Sequence, residues 1–144
     1  MSGEGNRGDR SILLQHPDLI DMDAFGQILE MDDEEDDMEF SFSVTGSFLE
    51  AETFYPKIED AINRGDFDEI YSHAYYLFGV ASSMGAIKVR STCEELKRLG
   101  KRQDSDGEQM DRKLALQRAA DVLVNAKFVY GQTADVFRKF YKIT

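Results

Sequence analysis

Residues 72–100 read SHAYYLFGVASSMGAIKVRSTCEELKRLG, and the fold follows from how the apolar positions recur in and just before them. Phe67, Ile70, Ala74, Leu77, Ala81 and Met84 step by three and four, the spacing of a helix that buries one side in a bundle. Gly85 ends that helix. Ile87, Val89, Cys93 and Leu96 then mark a shorter helix that stops at Leu99-Gly100. At ~100° per residue, the buried stripe turns Ser72, Tyr75, Tyr76, Gly79 and Ser83 away from the core and leaves His73 and Phe78 on its flanks. Solvated helix faces normally carry Lys and Glu, so tyrosines, serines and a glycine there point to a binding surface. Gly79 in mid-helix costs about 1 kcal/mol against alanine, which suggests close approach by another group.

Outward from this stretch the chain reads as further helices. Residues 1–17 are polar and Gly-rich and end at Pro17, the pattern of a mobile tail. Asp21 is a plausible N-cap for a short helix through Phe25, Ile28 and Leu29. Glu30 to Glu39 carries eight acidic residues, which reads as a solvated segment. From Met38 to Ile62 an apolar stripe (Val44, Phe48, Ala51, Tyr55, Ile58, Ile62) predicts a helix that Pro56 kinks or splits. Gly65 and Asp66 supply a C-cap and the next N-cap. Lys101 to Gln109 is a polar connection. The last helix spans about Asp111 to Tyr141, with Leu116, Ala119, Leu123, Ala126, Tyr130, Thr133, Phe137 and Phe140 on its stripe. The expected fold is all-α, an antiparallel four-helix bundle with a short extra N-terminal helix, in one domain over 18–144.

Composition narrows the function. A chain of 144 residues with 42% apolar and 31% charged residues is long enough for a single core. A net charge of −11 argues against nucleic acid, whose phosphates need Lys and Arg, and against an anionic membrane surface. It favours partners with basic or neutral docking faces. The single cysteine, Cys93, excludes an internal disulfide and reads as a buried structural thiol. The start MSGEGNRGDR has no apolar signal segment, and no apolar run approaches the ~20 residues of a membrane span. A cytoplasmic protein is expected, with the nucleus as a second compartment.

Most chemical constellations fail. Asp104-Ser105-Asp106-Gly107 hints at a calcium loop, but its glycine comes too early and the closing glutamate is missing. No Cys/His cluster offers a zinc site, and no Gly-rich phosphate loop or activated nucleophile is present. No metal or cofactor is expected.

The run Leu77, Gly79, Ala81, Ser82, Ser83, Met84-Gly85 resembles the phosphotransfer motif of histidine-containing phosphotransfer (HPt) proteins, His-x-Leu-Lys-Gly followed by small residues and Leu-Gly. IDMDAFGQILEMDDEEDDMEFS, FLEAETFYPKIEDAI and CEELKRLGK likewise resemble segments of fungal HPt proteins of the osmosensing multistep phosphorelay, and the resemblance covers roughly residues 18–142. It implies that an exposed histidine on the third bundle helix accepts a phosphoryl group from a receiver-domain aspartate and passes it to another. A lysine three positions later would attract that group, and the glycine after it gives the receiver room. In this sequence Tyr75 takes the histidine position and Phe78 the lysine position, while Gly79 matches the glycine. His73 lies ~200° around the helix from Tyr75, beside Ile70 and Leu77, and reads as a half-buried histidine with a local hydrogen bond. His16 falls in the expected tail.

The expectation is therefore a monomeric HPt-like protein that binds response-regulator receiver domains, those of a hybrid histidine kinase among them. Docking would centre on Tyr75, Phe78, Gly79, Ser82 and Ser83, with the helix at 21–30 and the acidic segment at the edge. It would be a pseudo-carrier, with no independent catalysis. The alternatives are an active carrier that uses His73 and a diverged or redesigned bundle that binds no receiver.

Overall fold

The computed structural model describes residues 9–32 and 38–143, and it is the expected all-α bundle. Its helices are α1 (Arg10–Leu14), α2 (Met22–Glu30), α3 (Glu39–Glu50), α4 (Phe54–Arg64), α5 (Phe67–Met84), α6 (Ile87–Gly100) and α7 (Arg112–Tyr141). A 3-10 turn, Ala51–Thr53, joins α3 to α4. The four members of the bundle are α3 with α4, then α5, α6 and α7, and each packs on its neighbours around one core.

The division of the long second helix has a local cause. Pro56 sits in the first turn of α4, where its lack of an N–H costs least. The ladder is broken just before it, at Ala51–Thr53, so the expected interruption falls a few residues earlier than the proline itself. On α5 the cap is as expected: the Asp66 carboxylate accepts the Glu69 N–H at 3.1 Å. Ile70, Ala74, Leu77, Ala81 and Met84 are buried. Phe67, at the start of the helix, is half-buried, with the Arg102 and Arg112 guanidinium groups over its ring.

Two expectations need correction. The expected tail contains α1, whose Asp9 cap accepts from Ser11 and whose Leu13 is fully buried against α7. Residues 1–8 lie outside the described residues. Ile87, placed on the apolar stripe of α6, is 39% exposed, although Ala86 before it and Val89 in the same turn are buried. Of the acidic run, residues 33–37 lie outside the described residues. Asp32 is described, and its carboxylate accepts the Ser41 N–H at 2.8 Å and the Ser41 hydroxyl at 2.6 Å, so it caps the first turn of α3. Tyr141 donates to Ser41 Oγ at 2.6 Å and thereby ties the end of α7 to the same place.

The short helix α2 is held over one end of α5. Its cap Asp21 accepts the Asp23 N–H, and the Asp21 N–H donates to the Gly85 carbonyl at 2.8 Å. Ile87 N–H donates to Leu19 O at 3.0 Å, so Leu19–Asp21 pairs with the α5–α6 turn. Gly85 has φ +70, and a Cβ there would lie 2.7 Å from Asp21 O. Only glycine suits both demands. Phe25 then packs on Phe137 and Phe140, fixing α2 to α7.

Candidate docking face

The outward side of α5 is the surface the helical period indicated. Tyr75 is 58% and Tyr76 46% exposed, Ser72, Gly79 and Ser83 are exposed, and His73, Phe78 and Ser82 are half-buried. Gly79 has nothing within 4 Å of where a Cβ would stand. The close approach expected there does not come from any of the described residues, which leave the space above the glycine open.

Neighbouring helices furnish both sides of this face. On the α4 side, Phe54 stacks on Tyr76 at 4.5 Å between centroids and 24° between planes. His73 meets the Phe54 ring edge-on at 5.6 Å, and its Nε2 lies 3.3 Å from Glu69 Oε1. Its side chain is 20% exposed. The imidazole is thus a flank residue with a local partner, one turn from the carboxylate it faces, and not the centre of the face. His16 is half-buried next to α1, and its carbonyl accepts from Leu19 and Ile20.

On the α6 side the structure adds residues that the motif did not indicate. Lys97 Nζ lies 4.1 Å from the Phe78 centroid and 5.0 Å from that of Tyr75. Arg90 Cζ is 5.1 Å from the Phe78 centroid, and Arg90 Nε donates to Ser82 Oγ at 3.1 Å. Lys101 Nζ is 4.7 Å from the Tyr71 ring, which in turn packs beside Tyr75. The spacing 90, 97, 101 is itself helical and was the available signal, since steps of seven and four return to one stripe. Phe78 therefore lacks a charge of its own but carries two cations from α6.

The α5–α6 contact that brings these groups together depends on Gly100. A Cβ there would stand 2.8 Å from Tyr71 N. Gly100 was expected as a stop signal; it is the last residue of α6, and its service is to let α5 and α6 approach. A groove of about 400 Å³ opens beside this point, lined by Tyr71, Glu94, Glu95, Lys97, Arg98 and Lys101 among others. Cys93 is fully buried, and burial pushes its thiol up to about 12, so it takes no part in the surface. Among the described residues no cluster of His, Cys, Asp or Glu is arranged to hold a metal, and no helix is long and apolar enough to cross a membrane.

Residues 47–126, which include α4, α5 and α6 and the first half of α7, match the family described as Hpt domain. The chain is 35% identical over 96 residues to Multistep phosphorelay regulator 1 of Schizosaccharomyces pombe, over 66% of this chain and 32% of that protein. It is 26% identical over 104 residues to Phosphorelay intermediate protein YPD1 of Candida albicans, over 72% of this chain and 55% of that protein. It thus spans less than two thirds of the length of either relative.

Proposed function

Because this chain belongs to the Hpt domain family, whose profile covers more than half of it, we propose that it docks response-regulator receiver domains of a two-component phosphorelay through the outward face of α5, as a carrier with weak or no phosphoryl transfer. The observation that carries this reading is the exposed Tyr75 ring in the middle of the face, 58% accessible, with open space above Gly79. The motif's acceptor histidine would stand at Tyr75. A histidine phosphoramidate exchanges readily with an aspartyl phosphate; a tyrosine phosphate ester is far lower in energy, and a relay through it would stall. Docking depends on shape and surface and does not need the imidazole. A monomer acting in the cytoplasm, with the receiver of a hybrid kinase among its partners, fits this role.

The second reading, transfer through His73, draws on its partial exposure. Against it stand the ring of Phe54 and the carboxylate of Glu69, which occupy two sides of the imidazole. Incubation with a phosphorylated receiver tests both. Wild type is expected to gain no acid-labile label, and a label that vanishes in His73→Ala would overturn the pseudo-carrier reading. Docking itself is tested by titration. Gly79→Ala fills open space and should raise stability by about 1 kcal/mol, whereas Gly79→Gln should weaken receiver binding at least ten-fold, roughly the effect of obstructing the centre of an interface. Wild type that binds no receiver would leave only a bundle scaffold.

A further inference from the structure

Tyr71, Tyr75 and Phe78 lie in a row on one flank of α5, and Lys101, the C-cap of α6, with Lys97 and Arg90 of that helix, lie over them in the reverse order. Among the described residues none of these three cations has a carboxylate at ion-pair distance, a condition they share with Lys57, Arg102 and Arg112, which also rest on rings. The chain has 28 acidic and 17 basic residues, so three adjacent cations without acidic partners reverse the sign of charge locally. A cation resting on a ring keeps its outer side in water. It can therefore meet an incoming carboxylate without first leaving another. The Arg90 bond to Ser82 holds that guanidinium against α5, over the Phe78 ring. Glu94 and Glu95 line the groove together with Lys97 and Lys101, so acidic groups border the patch on that side.

Resting on the docking reading above, we propose that Arg90 and Lys97, with Lys101 behind them, are the specificity-determining charges of this face, and that the receiver edge seated against α6 carries carboxylates. The positive charge that the motif would supply from the position of Phe78 comes instead from the neighbouring helix. The acidic chain as a whole repels such an edge at long range, and this local patch selects it at contact.

Lys97→Met and Arg90→Met keep a long apolar stem on the rings and remove the charge; Lys97→Gln serves as a second neutral variant. Each is titrated against a receiver domain at low and high ionic strength, with Lys127→Met as a control, since Lys127 pairs with Glu59 on α4. At low salt each substitution at 90 or 97 should weaken binding by about three- to ten-fold, as expected for an interface charge pair, and the loss should shrink as salt screens the pair. Lys127→Met should bind as wild type does. Neutral variants that bind as tightly as wild type, or a loss that salt leaves unchanged, would overturn the proposal while docking stands. Absence of wild-type binding would overturn the docking reading, and this proposal with it.

Discussion

At position 75 the side chain is outward and accessible, so the backbone presents it as it would present any residue. Tyr75→His should then acquire a phosphoryl label from a phosphorylated receiver that is lost in acid and kept in alkali, and adding Phe78→Lys should raise its yield. No label on either variant, with receiver binding intact, would show that more than the acceptor has been lost. Another consequence concerns buried acids. Burial raises the Cys93 thiol from 9.0 to about 12 and raises the Tyr55 and Tyr130 hydroxyls as well. Well below the ordinary thiol range, at about pH 7.5 or less, all three are protonated in folded and unfolded chains alike, and stability does not depend on them. From about pH 8 towards 12 the unfolded chain releases protons that the folded chain keeps, so stability falls as pH rises. Thermal midpoints should be flat at about pH 7.5 and below as far as these groups matter and decline progressively above about pH 8. Cys93→Ala should decline less steeply; an equal slope would mean that the thiol is not buried in solution.

At the level of elements, the helix pair α5–α6 is limited by one contact. Gly100→Ala would put a methyl group 2.8 Å from Tyr71 N, and relieving it requires the two helices to part. Overpacking of this kind costs typically about 1–3 kcal/mol, so the denaturation midpoint should fall, and receiver binding should weaken as the α6 cations move off their rings. Unchanged stability would show that the helices can slide apart freely. That contact was not legible in the sequence, because a glycine at a helix end reads first as a stop. The buried stripes of α5 and α7 were legible, since three-four periodicity and burial have the same geometric cause. So were the Asp21 and Asp66 caps, whose short carboxylates reach the N–H groups that no helix turn satisfies. The short α1 was not, because five residues cannot show a period and Leu13 is held by α7 from far away in sequence. At the proposed docking face the α5 residues could be placed by angle alone. The roof of cations could not, because it requires knowing which flank of α6 lies against them.

Over the whole molecule, net charge and local charge give different advice about partners. The value of −11 favours basic surfaces at a distance, while the α5–α6 edge presents cations at contact. The reconciliation is spatial: a patch a few residues wide acts within about 8–10 Å at physiological salt, the range over which a docked partner is felt. The bundle also stays in one piece beneath that patch. Leu19–Asp21 is bonded to the α5–α6 turn by two main-chain hydrogen bonds, closing α2 onto the end of the helix that carries the face. The amide protons of Asp21 and Ile87 can reach solvent only when that junction opens, so their hydrogen exchange should be slow and should be similar in the two residues. A receiver that binds without altering those two rates engages a finished surface, and its association then carries no refolding step: complex formation should follow a single bimolecular phase whose rate rises linearly with receiver concentration.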